Sequence, residues 1–68
     1  MTWRQLEAWA KKNGFKIKMF SFDPAVYTAA IDMPEAARLH VQGIGEAAED
    51  AAKRALCRAV ARMLESAR

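Results

Sequence analysis

The chain has one cysteine, Cys57, and one histidine, His40. A single cysteine excludes an internal disulfide, and a metal site built around one imidazole and one thiol would have to draw on scattered carboxylates. No run of 18 apolar residues is present, so no transmembrane helix is expected. The first helical pattern starts too close to Met1 for a secretory leader with a basic start and an apolar core. Together these absences predict a soluble, cytoplasmic protein that does not use a membrane. With only 68 residues the chain is one domain, 1–68, with one compact core. A domain of this size buries only about 60% of its unfolded surface, so a partner or a second copy would help to stabilise it.

Catalytic patterns are also missing. There is no serine, histidine and acid set, no phosphate-cradling glycine loop and no paired-carboxylate motif, so an enzyme is not expected and no cofactor is implied. A Cys57 and His40 nucleophile pair would need hydrogen-bond contact, yet the two residues fall on opposite sides of the expected sheet. Cys57 borders an apolar helical stripe and reads as a small core residue. His40 reads as a solvated strand residue.

The net charge of +3 is distributed unevenly: residues 1–22 sum to +4, residues 23–52 to −5 and residues 53–68 to +4. The basic surface is therefore split rather than a single block.

Periodicity gives the order of elements. Thr2-Trp3-Arg4-Gln5 fits a capping box, and Asn13-Gly14 supplies a left-handed stop, which predicts a first helix over about 3–13. Phe15-Lys16-Ile17-Lys18-Met19 alternates strictly and extends as a strand to Phe22, where Asp23-Pro24 turns the chain. Val26 to Ile31 reads as a second strand, Asp32-Met33-Pro34-Glu35 as a turn, and Arg38 to Gln42 as a third strand. After Gly43 and Gly45 a second helix is expected over about 46–66, with the stripe Ala48, Ala51, Ala52, Ala55, Leu56, Ala59, Val60, Met63 and Leu64. Glu46, Glu49 and Asp50 at its start, and Arg58, Arg62 and Arg68 toward its end, suit the helix dipole. Glu49 with Lys53, and Asp50 with Arg54, have the spacing of helical ion pairs. The fold class is α+β: a three-stranded antiparallel sheet with both helices on one face. The expected core is Leu6, Ile17, Leu39, Val41, Leu56, Val60 and Met63.

Two stretches carry a family resemblance. Leu6-Glu7-Ala8-Trp9-Ala10-Lys11-Lys12-Asn13-Gly14-Phe15 looks like the first helix and exit of a double-stranded-RNA-binding domain. The run Gly43-Ile44-Gly45-Glu46-Ala47-Ala48-Glu49-Asp50-Ala51-Ala52-Lys53-Arg54-Ala55-Leu56 resembles that family's last third. The resemblance implies an α-β-β-β-α fold. It does not carry the family's binding chemistry across. Where the family bridges phosphates with basic side chains, the matching positions are Ala48, Glu49 and Ala52. Its minor-groove loop corresponds to Ser21-Phe22-Asp23-Pro24-Ala25, and its first helix tends to carry polar contact residues where this chain has Ala8 and Lys11. A shape-reading clamp needs all of its contact regions, so ordinary duplex-RNA binding is not expected. Ala52 to Val60 is also similar to the C-terminal helix of the phage ABA sandwich family, and Tyr27 to Leu56 to HicB-type antitoxins.

The alternation that buries Phe15, Ile17 and Met19 places Lys16, Lys18, Phe20, Phe22, Arg38, His40 and Gln42 on the open sheet face. This basic and aromatic set is the candidate binding surface for a protein partner, a second copy or stacked single-stranded bases. A bulge could instead turn Phe20 or Phe22 inward. Arg54, Arg58 and Arg62 form an i, i+4, i+8 row, an alternative flank for phosphates or simply a solvated helix face. The leading functional expectation is protein recognition, by a phage or prophage accessory protein that binds or inhibits a host nucleoprotein or defence complex. The alternative is a nucleic-acid-binding module using Lys16, Lys18, Arg38 and the arginine row.

Overall fold

The computed structural model describes residues 1–34 and 38–67. Glu35, the last residue of the expected Asp32–Glu35 turn, and Arg68, expected near the end of the second helix, lie outside the described residues. The elements run α1 (Trp3–Asn13), β1 (Lys16–Asp23), β2 (Val26–Asp32), β3 (Leu39–Ile44) and α2 (Ala48–Ser66). The strands form one antiparallel sheet in the order β1-β2-β3.

Helix α1 forms where its caps place it. The Gln5 amide donates to the Thr2 hydroxyl at 3.1 Å, and the Thr2 amide donates to the Gln5 side-chain carbonyl at 2.8 Å. Gly14 ends the helix at φ 72, a left-handed conformation that glycine adopts without a Cβ penalty. The Phe15 amide then donates to the Ala10 carbonyl at 2.8 Å, and the Phe15 ring meets Trp9 edge-on at 5.2 Å. That local contact turns the chain from α1 into β1.

Helix α2 lies over β3 and β2, while α1 sits against α2 and β1. Leu6 and Ala10 of α1 join Ala29 and Ile31 of β2 and Ala52, Leu56 and Val60 of α2 in one core, so both helices serve the same sheet face. Of the expected core, Leu6, Leu56 and Val60 are fully buried; Ile17, Leu39, Val41 and Met63 pack around them half-buried. Ile31 is an equal member of the buried centre that periodicity did not single out. It lies on the middle strand, where Ala29, Ala30 and Ile31 are consecutive and all buried, so the pattern shows no alternation to read.

The third strand and the second helix differ from expectation in their bounds. β3 starts at Leu39 and continues through Gly43 and Ile44, and α2 starts at Ala48 rather than near residue 46. The reason is a close approach. A Cβ on Gly43 would collide with the Ala48 carbonyl and the Ala52 amide of α2. Gly43 therefore does more than open a helix: it is the strand position on which the helix is seated. Gly45, at φ 113, makes the reversal and donates its amide to the Ala25 carbonyl at 2.8 Å, joining this turn to the β1-β2 hairpin. The alanines that start the helix are part of the seat, because Ala48 and Ala52 are buried. Lysines in those places would point into the helix–sheet contact.

Two changes test this seat. Leu56→Ala should cost about 2–5 kcal/mol through lost burial and the cavity left behind. Gly43→Ala should cost roughly 1–3 kcal/mol or more, because backbone must move to admit the methyl group. Urea unfolding followed by far-UV circular dichroism measures both, and an unchanged midpoint for Gly43→Ala would show that α2 is not seated on β3.

Candidate functional site

The open sheet face is built by cross-strand register. Lys18, Ala30 and His40 form one row, and Phe20, Thr28 and Gln42 form the next. Val26 pairs with Asp23 on one side and with Ile44 on the other. Ala30 is only 4% exposed although no helix covers this face. Its register partners Lys18 and His40 flank it, and a long side chain can shield an alanine with its stem while its charge stays in water.

The basic residues expected on this face are not all free. Asp32, at the end of β2, receives Arg38 through two hydrogen bonds, from Nε to Oδ1 and from Nη2 to Oδ2 at 3.2 Å. Lys18 Nζ approaches the same carboxylate at 3.4 Å. Lys18 and Arg38 thus share one counter-charge, leaving their cluster with a single excess positive charge. The sequence pattern places Asp32 in a turn, whereas it is the last residue of β2. The signal that could have found it is the period-2 continuation of Thr28 and Ala30 onto the same face. The Asp32 carboxyl is held below its ordinary value, first by the Arg38 hydrogen bonds, against a smaller opposing effect of desolvation. Lys16 and His40 remain exposed at this end without an ion pair among the described residues.

The other end of the face is apolar. Between Phe20 and Asp23 the register shifts, so that Ser21 and Phe22 together oppose Tyr27 in a bulge. The bulge forms, yet Phe22 does not turn inward: it is 98% exposed, and Phe20 is 46% exposed. Their rings meet edge-on at 6.0 Å, so each covers part of the other and neither enters the core. The Ser21 hydroxyl holds the bulge by donating toward the Val26 carbonyl at 2.7 Å. The Asp23 carboxylate accepts the Ala25 amide at 2.8 Å, which fixes the tight turn at Pro24-Ala25. Ile44, 73% exposed, extends this apolar end onto β3. The expected third strand ends at Gln42, and only the added length of β3 brings Ile44 onto the sheet.

The arginine row divides. Arg54 and Arg58 line an open groove of about 340 Å³ between the start of α1 and α2, together with Thr2, Trp3, Lys53 and Cys57. Arg62 is exposed and lies outside it. Lys53 does not pair with Glu49, nor Arg54 with Asp50, among the described residues; Lys53 instead sits over the Trp3 ring at 5.4 Å from its centre. Cys57 is buried, and burial pushes its thiol up, the opposite of an activated nucleophile. Among the described residues, no three His, Cys, Asp or Glu side chains gather at one point, and no helix is long and apolar enough to cross a membrane.

Comparison with family models, curated proteins and solved structures finds no match for this chain. The Asp32 cluster makes a pH prediction. A carboxyl whose value is depressed in the folded state adds stability that is present above its unfolded value and is lost as pH falls through its folded value. Acidification below the ordinary carboxylate range should therefore remove the contribution of Asp32. Carbon-13 NMR titration of the Asp32 carboxyl should show a midpoint below that of an unstructured aspartate, and Arg38→Ala should bring it back up. A midpoint unaffected by Arg38→Ala would mean that the pair does not form in solution.

Proposed function

We propose that the protein is a non-enzymatic binding module that recognises a protein partner through the apolar end of its open sheet face. The observation that carries this reading is the exposure of Phe20 and Ile44 on neighbouring rows of the open face, with the bulge residue Phe22 exposed beside them and its ring edge-on to Phe20. Leaving large apolar side chains wet forgoes roughly 1.5–3 kcal/mol each, which a partner surface would recover. Lys16 and Lys18 lie on the same strand as the two phenylalanines, so the fitting partner offers an apolar pocket with an acidic rim. The similarity of Ala52–Val60 to phage ABA sandwich proteins, and of Tyr27–Leu56 to HicB-type antitoxins, extends the proposal. It suggests an accessory protein of a phage or prophage that binds and inhibits a cytoplasmic host complex.

The groove beside Arg54 and Arg58 favours a second reading, nucleic-acid binding, because these cations have no ion pair among the described residues and such cations meet phosphates readily. In the likeness to double-stranded-RNA-binding domains, the phosphate-facing helix start corresponds to Ala48, Glu49 and Ala52. Two of these are buried and the third is acidic, which argues against duplex RNA as the ligand.

Capture from an extract of the source organism separates the two readings. The immobilised chain, Phe20→Ser/Phe22→Ser and Arg54→Ser/Arg58→Ser should be compared with and without nuclease. We expect nuclease-resistant capture of a defined protein that the phenylalanine changes abolish and the arginine changes spare. Capture lost on nuclease treatment, or with the arginine changes, would replace this reading with nucleic-acid binding. The unaltered chain should show no appreciable affinity for a duplex RNA at physiological salt, measured by fluorescence anisotropy.

A further inference from the structure

The sheet has two edges, and they are built differently. On β1, Lys16, Lys18 and the Ser21-Phe22 bulge interrupt the ladder that another strand would need. Charged residues and bulges are the usual means by which an edge strand avoids pairing with another chain. On β3, Leu39–Ile44 has no proline, no lysine and no acidic residue, and its register with β2 runs without a bulge from Leu39 to Ile44. Among the described residues, no backbone hydrogen bond from Leu39–Ile44 reaches any strand besides β2. Helix α1 stands on the β1 side, so the β3 edge is the far side of the molecule from it. The flank of α2 on the β3 side lies about half a turn from Lys53 and Cys57 and carries Ala51 and Ala55, both small and half-buried.

We propose that two copies of the chain join β3 to β3 in antiparallel fashion, making one six-stranded sheet with a continuous open face. A second copy fits because this edge is complementary to itself in charge. Arg38 stands just before β3, where it and Lys18 share the single carboxylate of Asp32. Exposed Glu46 stands just after β3, followed by Glu49 and Asp50 in the first turn of α2, and none of the three makes an ion pair among the described residues. Reversing one copy against the other brings the basic start of each strand to the acidic end of its partner.

The alternation of side chains then limits the register. Open-face residues must oppose open-face residues, because a slip of one residue would turn every side chain to the wrong face. Setting Gln42 opposite the same residue of the second copy satisfies this. It places His40 opposite Ile44 and brings Arg38, just before one strand, to the end of the other strand where Glu46 follows the Gly45 reversal, and two-fold symmetry makes each contact twice. A two-residue slip that centres Val41 also keeps the faces but opposes Arg38 to Ile44 and leaves Glu46 unmatched. Phe20 and Phe22 lie on β1, at the opposite edge of the sheet, so dimer formation does not depend on them, and Ile44 is the one residue common to this edge and the partner-binding surface.

Charge reversal with mixing tests the proposal. The unaltered chain should sediment as a dimer. Arg38→Glu alone creates two acidic clashes at the interface and Glu46→Arg alone two basic ones, so each should weaken the dimer by at least about tenfold while circular dichroism shows it folded. Mixed together, the two variants should form a heterodimer of near wild-type affinity, since one contact is native and the other is reversed but complementary. Phe20→Ser/Phe22→Ser should remain dimeric even where it loses its partner. A monomeric unaltered chain at about millimolar concentration, single reversals that dimerise as well as the unaltered chain, or a mixture that fails to recover association would each overturn the proposal.

Discussion

The seat of α2 on β3 at Gly43 is the contact on which the rest of the structure depends. With no Cβ at Gly43, the backbone of the helix, at Ala48 and Ala52, comes down onto the strand itself. Ridge-into-groove packing of larger side chains would hold a helix and a sheet further apart. Here small residues on both partners close that distance, and Leu56 and Val60 then reach Leu6 and Ile31 to complete the centre. A 68-residue chain has few large side chains to bury, so a short helix–sheet distance lets a small apolar set fill the space between the layers.

The seat also fixes what the helix start can do. Alanines forced into the contact cannot be replaced by basic residues without breaking it, and the solvent side of the first turn carries Glu49 and Asp50. These acids suit the positive end of the helix dipole, which has no side-chain cap at Ala47. Stability and anion repulsion therefore come from the same residues. Positive charge lies away from the helix start, among other places in the Asp32 cluster on the open face and the groove beside α1.

On the open face the same backbone yields two different surfaces. At the β2 exit, Asp32 gathers Lys18 and Arg38 and spends much of their charge internally. At the hairpin end, the bulge held by Ser21 breaks the alternation and leaves Phe22 standing clear of the sheet beside Phe20. A bulge usually re-aims a side chain, and here it re-aims an aromatic outward. Apolar exposure on a small domain, concentrated at one end of one face, is the feature that separates this surface from an ordinary solvated sheet.

Much of this was determined by the sequence alone. The capping box at Thr2 and Gln5, the stop at Gly14, the alternation from Phe15 to Met19 and the turn at Pro24 are local signals, satisfied within a few residues, and the structure follows them closely. The element order and the placing of both helices on one side follow from those local signals and from which face is apolar. Tertiary structure decided what depends on residues distant in the chain. Gly43 belongs to β3 because α2 folds back onto it; Ile31 is central because its strand is the middle one; Asp32 is an ion-pair hub because register and the return of Arg38 bring two cations to it. Lys53 leaves its helical partner for the Trp3 ring for the same reason. Local periodicity reports which face a residue takes, whereas the neighbour that meets it there is set only when the elements pack.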